Sequence, residues 1–292
     1  MRLRLLSLLG AVALLALGAA PVSAEERVDT TYLALGDSVA FGFSPLKSPL
    51  DAENFTGYPE ILAERLDIDH VNASCSGEAT GGFINPRGLD NVCRSYRAHF
   101  PLHVAYTGTQ LSFALDYLKA HPQTRLVTLN LGANDAFRLT SGLPSPDFWP
   151  PSGCYTPDVL VYFSTCAVQN LKAIFAAIRE TGYEGLIVAL TYYALDYNDV
   201  SGTYLLNSPM LAAAAQSDNV LVASGFNAFR PAAVGAGGSS CAAGLLIMLP
   251  TGTCDIHPSP AGQGLLAGAI LQTIANSCPA HNATRCLNRH QE

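Results

Sequence analysis

The residues best suited to chemistry in this chain fall in four short segments. Gly36-Asp37-Ser38-Val39 places a serine hydroxyl in a turn, and Asp255-Ile256-His257-Pro258 places an imidazole beside a carboxylate. A histidine next to a serine acts first as general base and then as general acid. Between them lie residues 72–78 (NASCSGE), where the Gly77 N–H can approach a ligand with no side chain in the way. The fourth segment, Leu131-Gly132-Ala133-Asn134-Asp135, carries a side-chain amide, Asn134, that can donate to a developing oxyanion. Each segment also has a plainer account. Gly-Asp-Ser is a common turn with a helix cap, a lone loop histidine is usually only hydrogen-bonded, and Gly-Ala-Asn-Asp reads as a glycine turn with an Asx cap. His70, His99, His103, His121, His281 and His290 lack any such context.

Something must bring these segments together, and the hydropathy pattern indicates what. Residues 31–35, 125–131, 185–191 and 219–224 are short apolar runs that read as buried strands, and 67–72 as a weaker one. Helical spacing lies between them. Leu111, Leu115 and Leu118 fall at i, i+4 and i+7; Val168, Leu171, Ile174, Phe175 and Ile178 share one helix face; and 261–275 reads as a final helix. Strands separated by helical segments imply a mainly parallel sheet of about five strands with helices on both faces, an α/β chain. Three of the four segments follow a strand, at the carboxyl edge where such sheets bind ligands. Two stretches interrupt the pattern, 43–59 and 141–163. The second holds Phe148, Trp149, Tyr155, Tyr162 and Phe163. Each reads equally well as a binding loop or as an ordinarily packed surface loop.

Composition narrows the function classes. Of the 292 residues 49% are hydrophobic and only 13% charged, with 16 basic against 23 acidic side chains and a net charge of −7. That balance argues against a nucleic-acid partner and against attraction to an anionic membrane surface. Arg2 and Arg4, an apolar run over 5–20 and small residues at Val22 and Ala24 form the pattern of a cleaved signal peptide over 1–24. The expectation is a secreted protein whose residues 25–292 form one domain, without stable membrane insertion and monomeric. In that setting the eight cysteines read as a disulfide framework. Spacing suggests the sequential pairs Cys75–Cys93, Cys154–Cys166, Cys241–Cys254 and Cys278–Cys286, each worth about 2–3 kcal/mol by loop-closure entropy. Zinc-type Cys/His spacing is absent from the sequence, so no metal or other cofactor is expected.

Taken together and in order, the four segments resemble the SGNH (GDSL-type) hydrolase family. YLALGDSVAFGF is similar to its first block, NASCSGEAT to its second, LNLGAND to its third and CDIHPSPAGQG to its last. The resemblance implies a flavodoxin-like three-layer α/β/α sandwich and cofactor-free hydrolysis of carboxylic esters. Carried over by position, it implies Ser38 as nucleophile, His257 as base, and an oxyanion hole of the Ser38 N–H, the Gly77 N–H and the Asn134 amide. One position departs from the family pattern. The usual acid stands three residues before the histidine, where this chain has Cys254, and Asp255 stands only two before. Either Asp255 reaches His257 as third member, or a backbone carbonyl orients the ring and the pair works as a dyad. Lipid or simple acyl esters are the first substrate class. Carbohydrate deacetylation, acyl transfer to another alcohol and an inactive binding module are the alternatives.

Overall fold

The computed structural model describes residues 31–140, 158–278 and 282–288. Five strands form one parallel sheet: β1 Thr31–Gly36, β2 Asp69–Asn72, β3 Thr124–Asn130, β4 Leu186–Thr191 and β5 Val220–Ser224. Their spatial order is β2-β1-β3-β4-β5, the flavodoxin-like winding. A separate antiparallel pair, β6 Leu246–Met248 and β7 Cys254–Pro258, precedes the last long helix. The helices are α1 Ser38–Phe41, α2 Tyr58–Leu66, α3 Thr80–Ile84, α4 Cys93–His99, α5 Gln110–Ala120, α6 Ala133–Thr140, α7 Val159–Tyr162, α8 Val168–Glu180, α9 Ser201–Ala215, α10 Gly225–Gly235, α11 Pro260–Ser277 and α12 Ala283–Asn288.

The strands are apolar throughout because both faces of the sheet are covered. Side chains alternate across a strand, and β1 divides accordingly. Tyr32 and Ala34 pack with α2, α10, α11 and α12 through Leu62, Phe229, Leu266, Ile270 and Leu287. Leu33 and Leu35 pack on the opposite face with α3, α5, α8 and α9 through Phe83, Leu111, Ile174, Phe175 and Met210. Each large side chain fully buried in this way contributes about 1.5–3 kcal/mol. Local signals start the helices. Thr109 accepts the Ser112 N–H and Ser112 returns a bond to Thr109 at the head of α5, a capping box. Ser259 caps α11, with Pro260 in its first turn.

The sheet sets the carboxyl ends of β1 and β3 side by side, with Gly36 paired to Asn130. This is where the winding reverses direction, the place such sheets hold ligands. A Cβ on Gly36 would lie 2.3 Å from the Asn130 carbonyl oxygen, and its φ of +143° also favours glycine.

Four sequence expectations are sharpened by the structure. Asp67 is not in a strand: with φ of 54° it is the left-handed cap of α2, and β2 begins at Asp69. Residues 141–157, with Trp149, Phe148 and Tyr155, lie outside the described residues. The rest of that stretch is not loop, because Asp158 caps α7 and the chain continues through the π-type turn Phe163–Ala167 into α8. Tyr162 and Phe163 are core residues there. The combined span Val159–Glu180 is long and apolar enough to cross a membrane by length and composition, but Leu171, Ile174, Phe175 and Ile178 are buried against the sheet. Within 43–59, Phe55 is buried against Phe41, an ordinary packing role. Cys75–Cys93 and Cys241–Cys254 are bridged. Cys166 and Cys278 are also disulfide-bonded; Cys154 and the side chain of Cys286 lie outside the described residues.

Candidate active site

Ser38 opens α1 immediately beyond β1. Asp37, the cap of that short helix, accepts the Val39 N–H and is itself held by the Asn130 carbonyl through its own N–H. The turn therefore fixes the Ser38 backbone and leaves the hydroxyl free to face outward. His257 reaches it from β7, with Nε2 2.9 Å from Ser38 Oγ. On the far side of the ring, His257 Nδ1 lies 2.5 Å from Asp255 Oδ1. The same carboxylate oxygen accepts the His257 backbone N–H at 2.9 Å. Two residues of spacing are thus enough for the carboxylate to curl back on the ring. The His257 hydrogen bond holds the Asp255 carboxyl below its ordinary value, so it remains an anion. The Cys241–Cys254 bridge ends one residue before Asp255, and Tyr193 donates its hydroxyl to the Ile256 carbonyl at 2.6 Å. The Phe43 ring packs edge-on against the imidazole at 5.0 Å.

Asn134 stands in the first turn of α6, beyond β3, and is buried. Its Nδ2 points toward Asp37 Oδ2 at 3.4 Å, and its Oδ1 accepts from Asn91 Nδ2 at 2.8 Å. Gly77 lies in the loop beyond β2, tied to the end of β1 by the Cys75 N–H on the Gly36 carbonyl. At Gly77 φ is +85°, and a Cβ would fall 1.9 Å from the Asn91 carbonyl oxygen. Glycine is the residue this close approach permits. Ser38, Asn134 and His257 open onto one cavity of about 560 Å³, with Tyr193, Leu195 and Ile256 among its walls. Gly77 is not among its lining residues.

Burial dominates the remaining electrostatics. Desolvation pushes the Asp37 carboxyl up to about 6, against the stabilising hydroxyl of Tyr192 and the Val39 N–H. Asp135 is likewise raised by burial while accepting from Thr80 and Tyr162. Neither makes a hydrogen bond to Ser38 Oγ; both are spent on the turns and helices around it.

The family match decides the assignment: residues 34–265 fit the description GDSL-like Lipase/Acylhydrolase family. This chain belongs to that family. Among solved structures, phospholipase A1 from Streptomyces albidoflavus NA297 aligns with a TM-score of 0.53 at 21% identity, covering 84% of this chain and 99% of that one. The extracellular lipase from Streptomyces rimosus gives 0.51 at 20% identity, covering 84% and 99%. At these identities the likeness is one of fold. No curated protein sequence matches the chain.

Several residues that build this GDSL site carry no motif signal. Tyr192 holds Asp37 and accepts the Ala133 N–H, Tyr193 anchors the histidine loop, and Asn91 bonds Asn134. Each lies far in sequence from the residue it supports, and only the chain order beyond a strand end would have drawn attention to Tyr192 and Tyr193.

Beside Gly77 lies an acid pair, buried Glu78 and half-buried Asp90, close to Cys93. The Cys93 sulfur is spent in a disulfide, so the group offers no thiolate to a metal. Burial, with Asp90 adding to it, pushes the Glu78 carboxyl up to about 8. The folded state therefore favours protonated Glu78. That contribution to stability is complete below the ordinary carboxylate range and disappears as pH rises through about 8. Glu78→Gln should melt close to wild type at pH 5 and at least about 5 °C higher at pH 9. Paired thermal melts at the two pH values check this, and the other buried acids cancel in the difference.

Proposed function

We propose that this chain is a secreted serine esterase that cleaves lipid or simple acyl esters through an acyl-enzyme on Ser38. The observation that carries this reading is the continuous relay from Ser38 Oγ to His257 Nε2 at 2.9 Å and from His257 Nδ1 to Asp255 at 2.5 Å. With the ring proton on Nδ1 facing the carboxylate, Nε2 is free to accept the Ser38 proton. Ser38 Oγ then attacks the ester carbonyl carbon, and the carbonyl π electrons move onto oxygen. Asn134 Nδ2 and the Ser38 and Gly77 N–H groups are the proposed donors to that oxyanion. Collapse of the intermediate expels the alcohol, which takes the proton from His257. Water repeats the sequence, releasing the acid and restoring Ser38.

The cavity walls support the substrate class. Phe137, Leu195, Leu206 and Ile256 give an apolar surface beside Ser38, suited to an acyl chain. Among the described residues no Lys or Arg lines its walls, which carry the carboxyl groups of Asp37, Asp196 and Asp199. That favours neutral esters over anionic ones. Export is supported by the disulfides, which persist in oxidising compartments, and by the signal-peptide pattern over 1–24. Residues 25–292 would then be the exported hydrolase domain.

The test is turnover of nitrophenyl esters from acetyl to palmitoyl by purified 25–292, with and without chelator. The expected result is chelator-indifferent hydrolysis that is faster on butyryl and longer chains than on acetyl. Activity confined to acetyl esters and acetylated sugars would replace the lipid reading with carbohydrate deacetylation.

A further inference from the structure

Asn91 sits between the two oxyanion donors that lie outside the Ser38 turn. Its side-chain Nδ2 donates to Asn134 Oδ1 at 2.8 Å, and its backbone N–H donates to the Gly77 carbonyl at 3.0 Å. Its own carbonyl oxygen occupies the space a side chain at 77 would need. An asparagine amide can present either end, and only the Nδ2 end stabilises an oxyanion. Asp37 Oδ2 accepts at the Nδ2 end across 3.4 Å, and the shorter contact at the other end must also reject the wrong rotamer. A donor aimed at Oδ1 does this, because turning the amide over would set two N–H groups against each other.

The segment that carries Asn91 is tied to its neighbours. Val92, the next residue, has φ of +79°, a left-handed conformation rare for a β-branched side chain. Such conformations persist where the surroundings over-determine them, often at functional sites. Cys93 follows and is bridged to Cys75, two residues before Gly77. Three consecutive residues thus tie the Gly77 loop, Asn134 and α4 together.

We propose that Asn91 is a positioning residue that sets the donor end of the Asn134 amide toward the oxyanion and braces the Gly77 loop from behind. This rests on the esterase reading above and adds a residue that makes no contact with substrate.

The test compares Asn91→Ala, Asn91→Asp, Asn134→Ala, the Asn91→Ala/Asn134→Ala double variant and Ser38→Ala on nitrophenyl butyrate, with thermal melts of each. Asn91→Ala is expected to lower kcat about tenfold with KM within about twofold, the mark of an interaction used in the transition state. Asn91→Asp is close to isosteric, yet it sets an acceptor against Asn134 Oδ1, and because Asp37 Oδ2 stands at the other end the amide is displaced or turned at a cost. It should lose as much as Asn134→Ala, about 10²-fold or more. The double variant should be no slower than Asn134→Ala alone. Equal losses in Asn91→Ala and Asn91→Asp, or losses that multiply in the double variant, would overturn the role of Asn91 while leaving the esterase intact. Turnover that survives Ser38→Ala would overturn the esterase reading and this proposal with it.

Discussion

Ser38→Ala should lower kcat on nitrophenyl butyrate by about 10⁶-fold, the scale of loss when a serine nucleophile acting with its base is removed. The expectation follows from geometry rather than from the motif alone. Ser38 Oγ makes its hydrogen bond to His257, while the turn around it is held by Asp37, Asn130 and the short helix that follows. Removing the hydroxyl therefore deletes the proposed nucleophile without removing what folds the turn, and the melting temperature should stay within about 2 °C of wild type. His257→Ala should fall to a similar level. The double variant should be no worse than either single, because the two side chains act as one unit. A fluorophosphonate should label wild-type protein once, on Ser38, and leave Ser38→Ala unmodified by intact mass. A Ser38→Ala protein that still turns over substrate within tenfold of wild type would reject the nucleophile assignment outright.

The sheet was legible because parallel strands buried on both faces leave continuous apolar runs. Residues 31–35 and 185–191 coincide with β1 and β4 almost to the residue. The strand at 67–72 was blurred because Asp67 and Ile68 belong to the end of α2 and its turn, a left-handed cap that hydropathy cannot register. Helices α9 and α10 are hidden from the sequence for a related reason. Pro209 and Pro231 lie inside them, and proline normally argues against a helix interior. At the site, Ser38, Asn134 and His257 could be found because each follows or precedes a readable element in a short motif. Asn91, Tyr192 and Tyr193 could not, since their contribution is a contact across 43, 155 and 63 residues of chain respectively. Nothing local in a sequence marks a hydrogen bond of that kind. The two disulfides fall between these cases: the spacing suggested Cys75–Cys93 and Cys241–Cys254, but only the fold reveals that each closes a loop beside the site.

Asp255 is where sequence and structure differ most in what they suggest. From spacing alone, an acid two residues before the histidine left open whether a side chain or a backbone carbonyl orients the ring. The carboxylate instead accepts both the Nδ1 proton and the backbone N–H of His257 through one oxygen. That double contact fixes the tautomer as well as the ring plane, so its loss should be felt mainly in kcat. Asp255→Ala is expected to lower kcat by about 10³–10⁴, short of the loss in His257→Ala. Two constraints explain why activity should survive at all. The Cys241–Cys254 bridge and the Tyr193 hydroxyl on Ile256 hold the loop without the carboxylate, and Phe43 packs against the ring. Asp255→Asn sharpens the test, because an amide can turn its N–H₂ toward Nδ1 and drive the ring proton to Nε2, where it blocks uptake of the Ser38 proton. The asparagine variant should therefore be no faster than the alanine variant despite its closer shape. If both lose less than tenfold, the ring is oriented by backbone and the working unit is Ser38 with His257. If both fall as far as His257→Ala, the carboxylate is as indispensable as the base, and the disulfide and Tyr193 do nothing to hold the imidazole without it.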